Sequence, residues 1–180
     1  MAINGTTSPV ELAARVSQAP EAAGIKATLS GGAAVGIYTD NPYQSKDLDF
    51  VTAERAKRLS AALAPLGFAL ASDRRHFEHA DTDLFLEFPP APLGFGRRVV
   101  QHDDVPLLRT PWGPLRVITP TQCVMDRLAA YWHWNDRQSW DQAVMVSTHC
   151  EVDFADLAKS ATEENADTRD IERLRKQAGR

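Results

Sequence analysis

The stretch Asp47-Leu48-Asp49-Phe50-Val51 alternates acidic with apolar residues. Alternation of period two predicts a strand with Asp47 and Asp49 on one face and Leu48 and Phe50 on the other. The apolar face requires a core to cover it. The acidic face carries two carboxylates a few ångström apart that repel each other. Water at an exposed strand edge relieves that repulsion, and so does a divalent cation. A ligand set made only of oxygen favours Mg²⁺ or Mn²⁺. Taken alone, the pair is also the pattern of an ordinary solvent-facing edge.

Two further stretches narrow the choice. Ile25, Ala27 and Leu29 alternate with Lys26 and Thr28, then Ser30-Gly31-Gly32 leads into Ala33-Ala34-Val35-Gly36-Ile37-Tyr38. That is the order strand, glycine turn, helix. Glycine permits close backbone approach, and the N–H groups at the start of the next helix face an anion, with the Ser30 hydroxyl beside them. A plain strand-to-helix turn has the same composition. The second stretch, Asp83-Leu84-Phe85-Leu86-Glu87-Phe88, places Asp83, Phe85 and Glu87 on one strand face and Leu84, Leu86 and Phe88 on the other. Glu87 lies between two apolar neighbours, so its carboxylate requires a metal or a cationic partner, for which Arg97 and Arg98 are candidates. Either Asp83 or Glu87 qualifies as the third acid.

Elsewhere the pattern sets the architecture. Ser8-Pro9-Val10-Glu11 opens a helix with a cap, a first-position proline and a residue able to close a capping box, and the helix is expected to end near residue 19, before Pro20. Residues 39–46 form a polar turn, 54–66 a helix, and 68–117 a mostly β region with strands near 68–71, 75–79, 83–88, 97–101 and 115–118. The proline-rich stretch 89–95 and Trp112-Gly113-Pro114 read as loops, the first a candidate flap over the acids. From Thr119-Pro120-Thr121-Gln122 onward the period is helical, with helices from 120, over 136–149 and after Asp153. The tail beyond Thr162 has few large apolar residues and is expected to be frayed or weakly docked. The fold class is α+β: a mixed β-sheet with flanking helices over 1–118, followed by a helical C-terminal subdomain over 119–180.

The 180 residues suffice for a core without staples, and two cysteines, Cys123 and Cys150, exclude a disulfide scaffold. With 20 basic against 24 acidic side chains the net charge is −4, so no global field draws the chain to nucleic acid or membrane. Apolar runs fall far short of the ~20 residues that span a bilayer, and the N-terminus lacks the features of a signal peptide, so a cytoplasmic location and no membrane partner are expected.

Ser30-Gly31-Gly32, a helix, Ser45-Lys46-Asp47-Leu48-Asp49-Phe50 and a later strand acid together resemble the nucleotidyltransferases of the DNA polymerase β superfamily. The stretch from Gly31 to Phe50 is especially similar to the minimal abortive-infection type, which includes toxin components of toxin–antitoxin pairs. The likeness extends, more loosely, to Asp126-Arg127-Leu128-Ala129-Ala130, with Arg127 where lysine is usual, and to Arg137-Gln138-Ser139-Trp140-Asp141, with Gln138 in place of an aspartate. Gln44 stands where many relatives have an arginine. The resemblance implies Mg²⁺-dependent (or Mn²⁺-dependent) transfer of NMP from an NTP to an acceptor: an RNA end such as that of a tRNA, a protein side chain or a small molecule. It implies metal-binding and catalytic roles for Asp47, Asp49 and Glu87. It implies nucleotide binding by Ser30, Gly31, Gly32, Lys46 and Arg127, and a cognate antitoxin as a partner. A nucleotidyltransferase-like protein that binds nucleotide or a protein without turnover is the alternative.

Other side chains carry less. His76 and His79 are three apart in a strand and face opposite ways, which argues against a shared transition metal. Trp132 and Trp140 read as helix-packing residues, whereas Tyr131 and Trp134 are the candidates for stacking on a base. Arg74-Arg75 and Arg97-Arg98 are the local basic spots.

Overall fold

The alternating strands assemble into one mixed sheet. The computed structural model describes residues 2–39 and 45–180, so residues 40–44 of the predicted turn, Gln44 among them, lie outside it. The sheet comprises β1 (Thr28–Ser30), β2 (Asp47–Val51), β3 (Ala69–Leu70), β4 (His76–Glu78) and β5 (Phe85–Glu87) in the order β1-β2-β5-β4-β3. β2 and β5 run parallel, and the other neighbours are antiparallel. Register aligns Leu48, Leu86, Phe77 and Leu70 in one row across four strands. Leu48, Leu86 and Phe77 of that row are buried. Phe88 stacks on Phe50 with centroids 5.9 Å apart and meets Phe77 edge-on at 5.4 Å. This is the covered face that the alternation demands.

Helices close the core. α1 (Pro9–Ala22) packs against α2 (Gly31–Tyr38) and α3 (Ala56–Leu63), and α3 gives way to a 3₁₀ turn over Ala64–Leu66. The Ser8 hydroxyl caps α1 by accepting from the Glu11 amide at 3.2 Å, while the Glu11 carboxylate takes Arg15 at 3.3 Å rather than closing a capping box. The helix continues through Pro20 instead of ending before it. In the last turn the missing N–H costs a single bond, the ring is buried, and the Pro20 carbonyl accepts from Ala23 and Ile25, both at 2.9 Å.

Two hairpins extend the sheet region. The first pairs β6 (Leu93–Phe95) with β7 (Arg98–Val100), so the end of the expected loop 89–95 is a strand. Leu93 and Phe95 are buried, and β6 packs on the helix α4 (Pro120–Trp134). Burial of these two side chains, which the prolines before them masked, makes the stretch β. The second pairs β8 (Leu107–Thr110) with β9 (Gly113–Arg116), which places Gly113 and Pro114 in a strand rather than a loop. β9 packs along α1, and just beyond it Val117 bridges Leu29 of β1.

The C-terminal part contains α4, α5 (Arg137–His149), α6 (Phe154–Glu163) and α7 (Arg169–Gln177). Thr119 and Gln122 form the reciprocal capping box at the start of α4, and Asp153 caps α6. The tail is ordered, contrary to expectation. Ile171 and Leu174 are three apart, face inward together and are buried. The Trp132 indole donates to Asp170 at 3.0 Å, that of Trp140 to Gln177 at 2.9 Å, and the Arg173 guanidinium lies 4.1 Å from the Trp140 ring centroid. A short apolar stripe is enough when two tryptophans hold its polar rim. Leu174→Ala is therefore expected to cost about 2–5 kcal/mol in urea unfolding. A cost near zero would mean that α7 is not part of the core.

Candidate active site

The register that builds the core also builds a polar row on the opposite face. Ser30 pairs with Asp49, Asp49 with Glu87, and Glu87 with His76, so four strands present these side chains next to one another. Ser30 ends β1, and α2 begins at Gly31 with no intervening turn. Gly31 has φ +66°, and a Cβ there would lie 2.9 Å from Asp49 Oδ2. The left-handed conformation disfavours a side chain, and the Asp49 carboxylate would have to turn aside to admit one. Gly32 is different: a Cβ would meet Ser45 at an ordinary 3.7 Å. The Ser30 side chain caps nothing in α2.

Asp49 is the electrostatic centre. Burial pushes its carboxyl up to about 6, the neighbouring Asp47 and Glu87 carboxylates add to the rise, and Arg127 opposes it. Arg127 and Asp126 come from α4. The Arg127 guanidinium donates to Asp126 at 2.6 Å and to Gln142 Oε1 at 3.3 Å, and its buried Nε has no partner among the described residues. The pair with Asp126 is half-buried. From α5 it is Gln142 that reaches this cluster, while Gln138 and Asp141 are exposed. Gln142 shares a buried face with Ser139, Ala143 and Val146, and that helical spacing is the signal that marks it in the sequence.

The other acids have distinct partners. Glu87 accepts from His76, whose second ring nitrogen donates to Asp73, and neither Arg97 nor Arg98 pairs with Glu87. Two carboxylate acceptors require a proton on each ring nitrogen, and they raise the His76 pKa, the Asp73 bond most and Glu87 less. Arg98 instead pairs with Asp156 at 2.8 Å and Glu163 at 2.9 Å. Asp83 lies outside β5, exposed, 3.5 Å from the exposed Lys46. The Ser45 hydroxyl donates to Asp47. Tyr131 is packed on Trp140 with centroids 5.0 Å apart, and Trp134 is 76% exposed.

Among the described residues, no three acidic, histidine or cysteine side chains converge to cage an ion. Mg²⁺ is ordinarily held by one or two carboxylates, with phosphate and water completing its shell. Asp47 and Asp49 supply that partial set, and a cation there would offset the loss of water at Asp49 and the like charges of Asp47 and Glu87. The donors fit a hard cation that arrives with a phosphate ligand. Among the described residues no helix is long and apolar enough to cross a membrane.

Two expectations follow. Gly31→Ala is expected to destabilise by about 1–3 kcal/mol and Gly32→Ala to be neutral or slightly stabilising, as read by thermal unfolding. Equal effects would mean that the close approach to Asp49 is unimportant. The second concerns pH. An acid whose folded pKa exceeds its unfolded value loses stability as pH rises between the two, here from 3.8 to about 6. Asp49→Asn removes that cost, so the variant is expected to be roughly 1–2 kcal/mol more stable than wild type above pH 6, with the difference vanishing near pH 4. A variant less stable at pH 8 would contradict the electrostatic reading.

At the level of sequence, no family model and no curated protein matches this chain. Solved structures do match. An antigenic nucleotidyltransferase-like protein from Paracoccidioides brasiliensis superposes with a TM-score of 0.56 at 10% identity, covering 80% of this chain and 77% of that one. The lincosamide antibiotic adenylyltransferase LnuA, in its lincomycin-bound structure, gives a TM-score of 0.50 at 15% identity, covering 80% of this chain and 99% of its own. The chain has the nucleotidyltransferase-like α+β fold.

Proposed function

We propose that the protein is an Mg²⁺-dependent (or Mn²⁺-dependent) enzyme that moves NMP from an NTP to a hydroxyl-bearing acceptor. The observation that carries this is Asp49: a half-buried carboxylate, in register with Ser30 and Glu87, pressed on the backbone of Gly31 and short of positive charge. The Ser30 hydroxyl and the amides that open α2 bind triphosphate oxygens, and Gly31 and Gly32 keep that approach clear of side chains. Asp47, Asp49 and the Glu87 oxygen not engaged by His76 would hold the cation. When bound, the cation neutralises phosphate charge and makes the acceptor hydroxyl more acidic.

In the reaction, the acceptor oxygen loses its proton to water and bonds to the α-phosphorus, the bond from that phosphorus to the bridging oxygen breaks, and pyrophosphate leaves with its electrons. Arg127 counters the charge of the acid cluster from α4. Lys46 is tied only by an exposed contact to Asp83, a kind of pair that contributes little, so it is available to a phosphate oxygen. An adenylyltransferase with lincomycin bound among the similar structures supports a small-molecule acceptor. A toxin role, with an antitoxin as partner, rests on the sequence motifs. One observation favours a non-catalytic nucleotide- or partner-binding role: Arg127 is already engaged by Asp126 and Gln142.

Calorimetry with all four NTPs and Mg²⁺, on wild type and Asp49→Asn, separates the readings without knowledge of the acceptor. The expected result is metal-dependent binding of at least one NTP, about tenfold or more weaker in the variant. No binding of any NTP by folded wild type would overturn the proposal.

A further inference from the structure

Glu87 is the acid of the row whose orientation a neighbouring strand controls. Its half-buried side chain stands on β5, with Asp49 opposite on one side and His76 on the other. His76 Nε2 donates to its Oε1, and Glu87 has no other hydrogen-bond partner among the described residues. One oxygen is thereby fixed and the second is left free.

The ring that does this is itself held on three sides. Its Nδ1 donates to Asp73 Oδ2, in the turn between β3 and β4. Asp73 accepts the Arg75 amide at 2.9 Å and the His76 amide at 3.2 Å through its other oxygen, so both of its carboxylate oxygens are engaged. The His76 ring also meets the Phe85 ring edge-on, with centroids 5.0 Å apart. Phe85 lies two residues before Glu87, on the same face of β5. Backbone amides thus fix Asp73, Asp73 and Phe85 fix the ring, and the ring fixes one carboxylate oxygen. A glutamate side chain rotates about several bonds, and a partner of fixed position removes much of that freedom before a ligand arrives.

We propose that His76 is a positioning residue for the transfer: seated by Asp73, it holds one oxygen of Glu87 so that the other is presented to the cation beside Asp49. This rests on the nucleotidyltransferase reading. Carboxylates that bind metal are themselves held by hydrogen bonds, and loss of such a partner costs about 10–100-fold in metal affinity. His76 touches neither cation nor substrate and acts through Glu87.

The test is calorimetric titration of Mn²⁺ and ATP into wild type, His76→Asn, His76→Gln, Glu87→Gln and the double variant His76→Asn/Glu87→Gln. Gln carries its amide nitrogen in the place of imidazole Nε2 and Asn in the place of Nδ1, so Gln can donate to Glu87 and Asn cannot. His76→Asn is expected to bind about tenfold or more weakly than wild type, and His76→Gln to recover most of that loss. The double variant is expected to bind no more weakly than Glu87→Gln, because a residue that acts through Glu87 adds nothing once Glu87 is changed. Equal weakening by Asn and Gln, or a His76 effect that adds to the Glu87 effect, would overturn the proposal. A second measurement needs neither metal nor a His76 variant. In nitrogen-15 NMR of the histidine rings, Glu87→Gln is expected to shift Nε2 of His76 more than Nδ1, and an unmoved Nε2 would overturn the proposal. Asp49→Asn, titrated alongside, keeps the two claims apart. Binding that Asp49→Asn weakens and His76→Asn does not sinks the positioning role and leaves the transferase reading. No binding by folded wild type sinks the transferase reading, and the positioning role with it.

Discussion

A carboxylate that is neither fully hydrated nor fully neutralised governs this molecule. Asp49 sits on β2, next to the central strand β5, with Gly31 against it on one side and Glu87 on the other, and with Asp47 two residues away along the strand. Each neighbour except the glycine adds negative charge, and burial removes the water that would screen it. The fold tolerates this because the other face of the same strands is packed with Leu48, Phe50, Leu86 and Phe77. Apolar burial behind the sheet offsets charge crowding in front of it. Ionising Asp49 destabilises the fold, and under the proposed function a bound cation would reverse that cost.

The helical part is joined to this centre as well as to the core. Arg127 of α4 is the positive charge that acts on Asp49, and Asp126 and Gln142 fix its orientation. α4 in turn is held by α5 and by the β6 hairpin, and Glu164 and Arg98 tie that hairpin to the helices around it. Movement of α4 would thus alter the electrostatics at Asp49 directly.

Much of this was legible in the residues. The alternation in Asp47–Val51 and Asp83–Phe88 gave the strands, their faces and the acids, because period two is a local property of a strand. Thr119 to Gln122 announced its helix because a capping box is local too. What local pattern cannot supply is register. Nothing in the sequence says that Glu87 rather than Asp83 stands opposite Asp49, or that His76 completes the row, since both depend on how β5 aligns with β2 and β4. The β6 strand and α7 were missed for a related reason. Each has only two or three apolar residues, and their burial depends on partners distant in the chain: α4 for the first, Trp132 and Trp140 for the second. Pro20 misled in the opposite direction, since a helix terminator matters little when one turn remains.

The proposed activity requires that a metal–nucleotide complex seat on the Ser30–Asp49–Glu87 row. Paramagnetic relaxation by Mn²⁺ bound with ATP reads this directly, through line broadening of amide resonances in the two-dimensional NMR spectrum. The account expects strong broadening at Gly31, Asp47, Asp49 and Glu87, little at Ile171 and Leu174 of α7, and relief of the broadening in Asp49→Asn. Broadening spread evenly over the surface, or centred away from β2 and unchanged by the substitution, would contradict it.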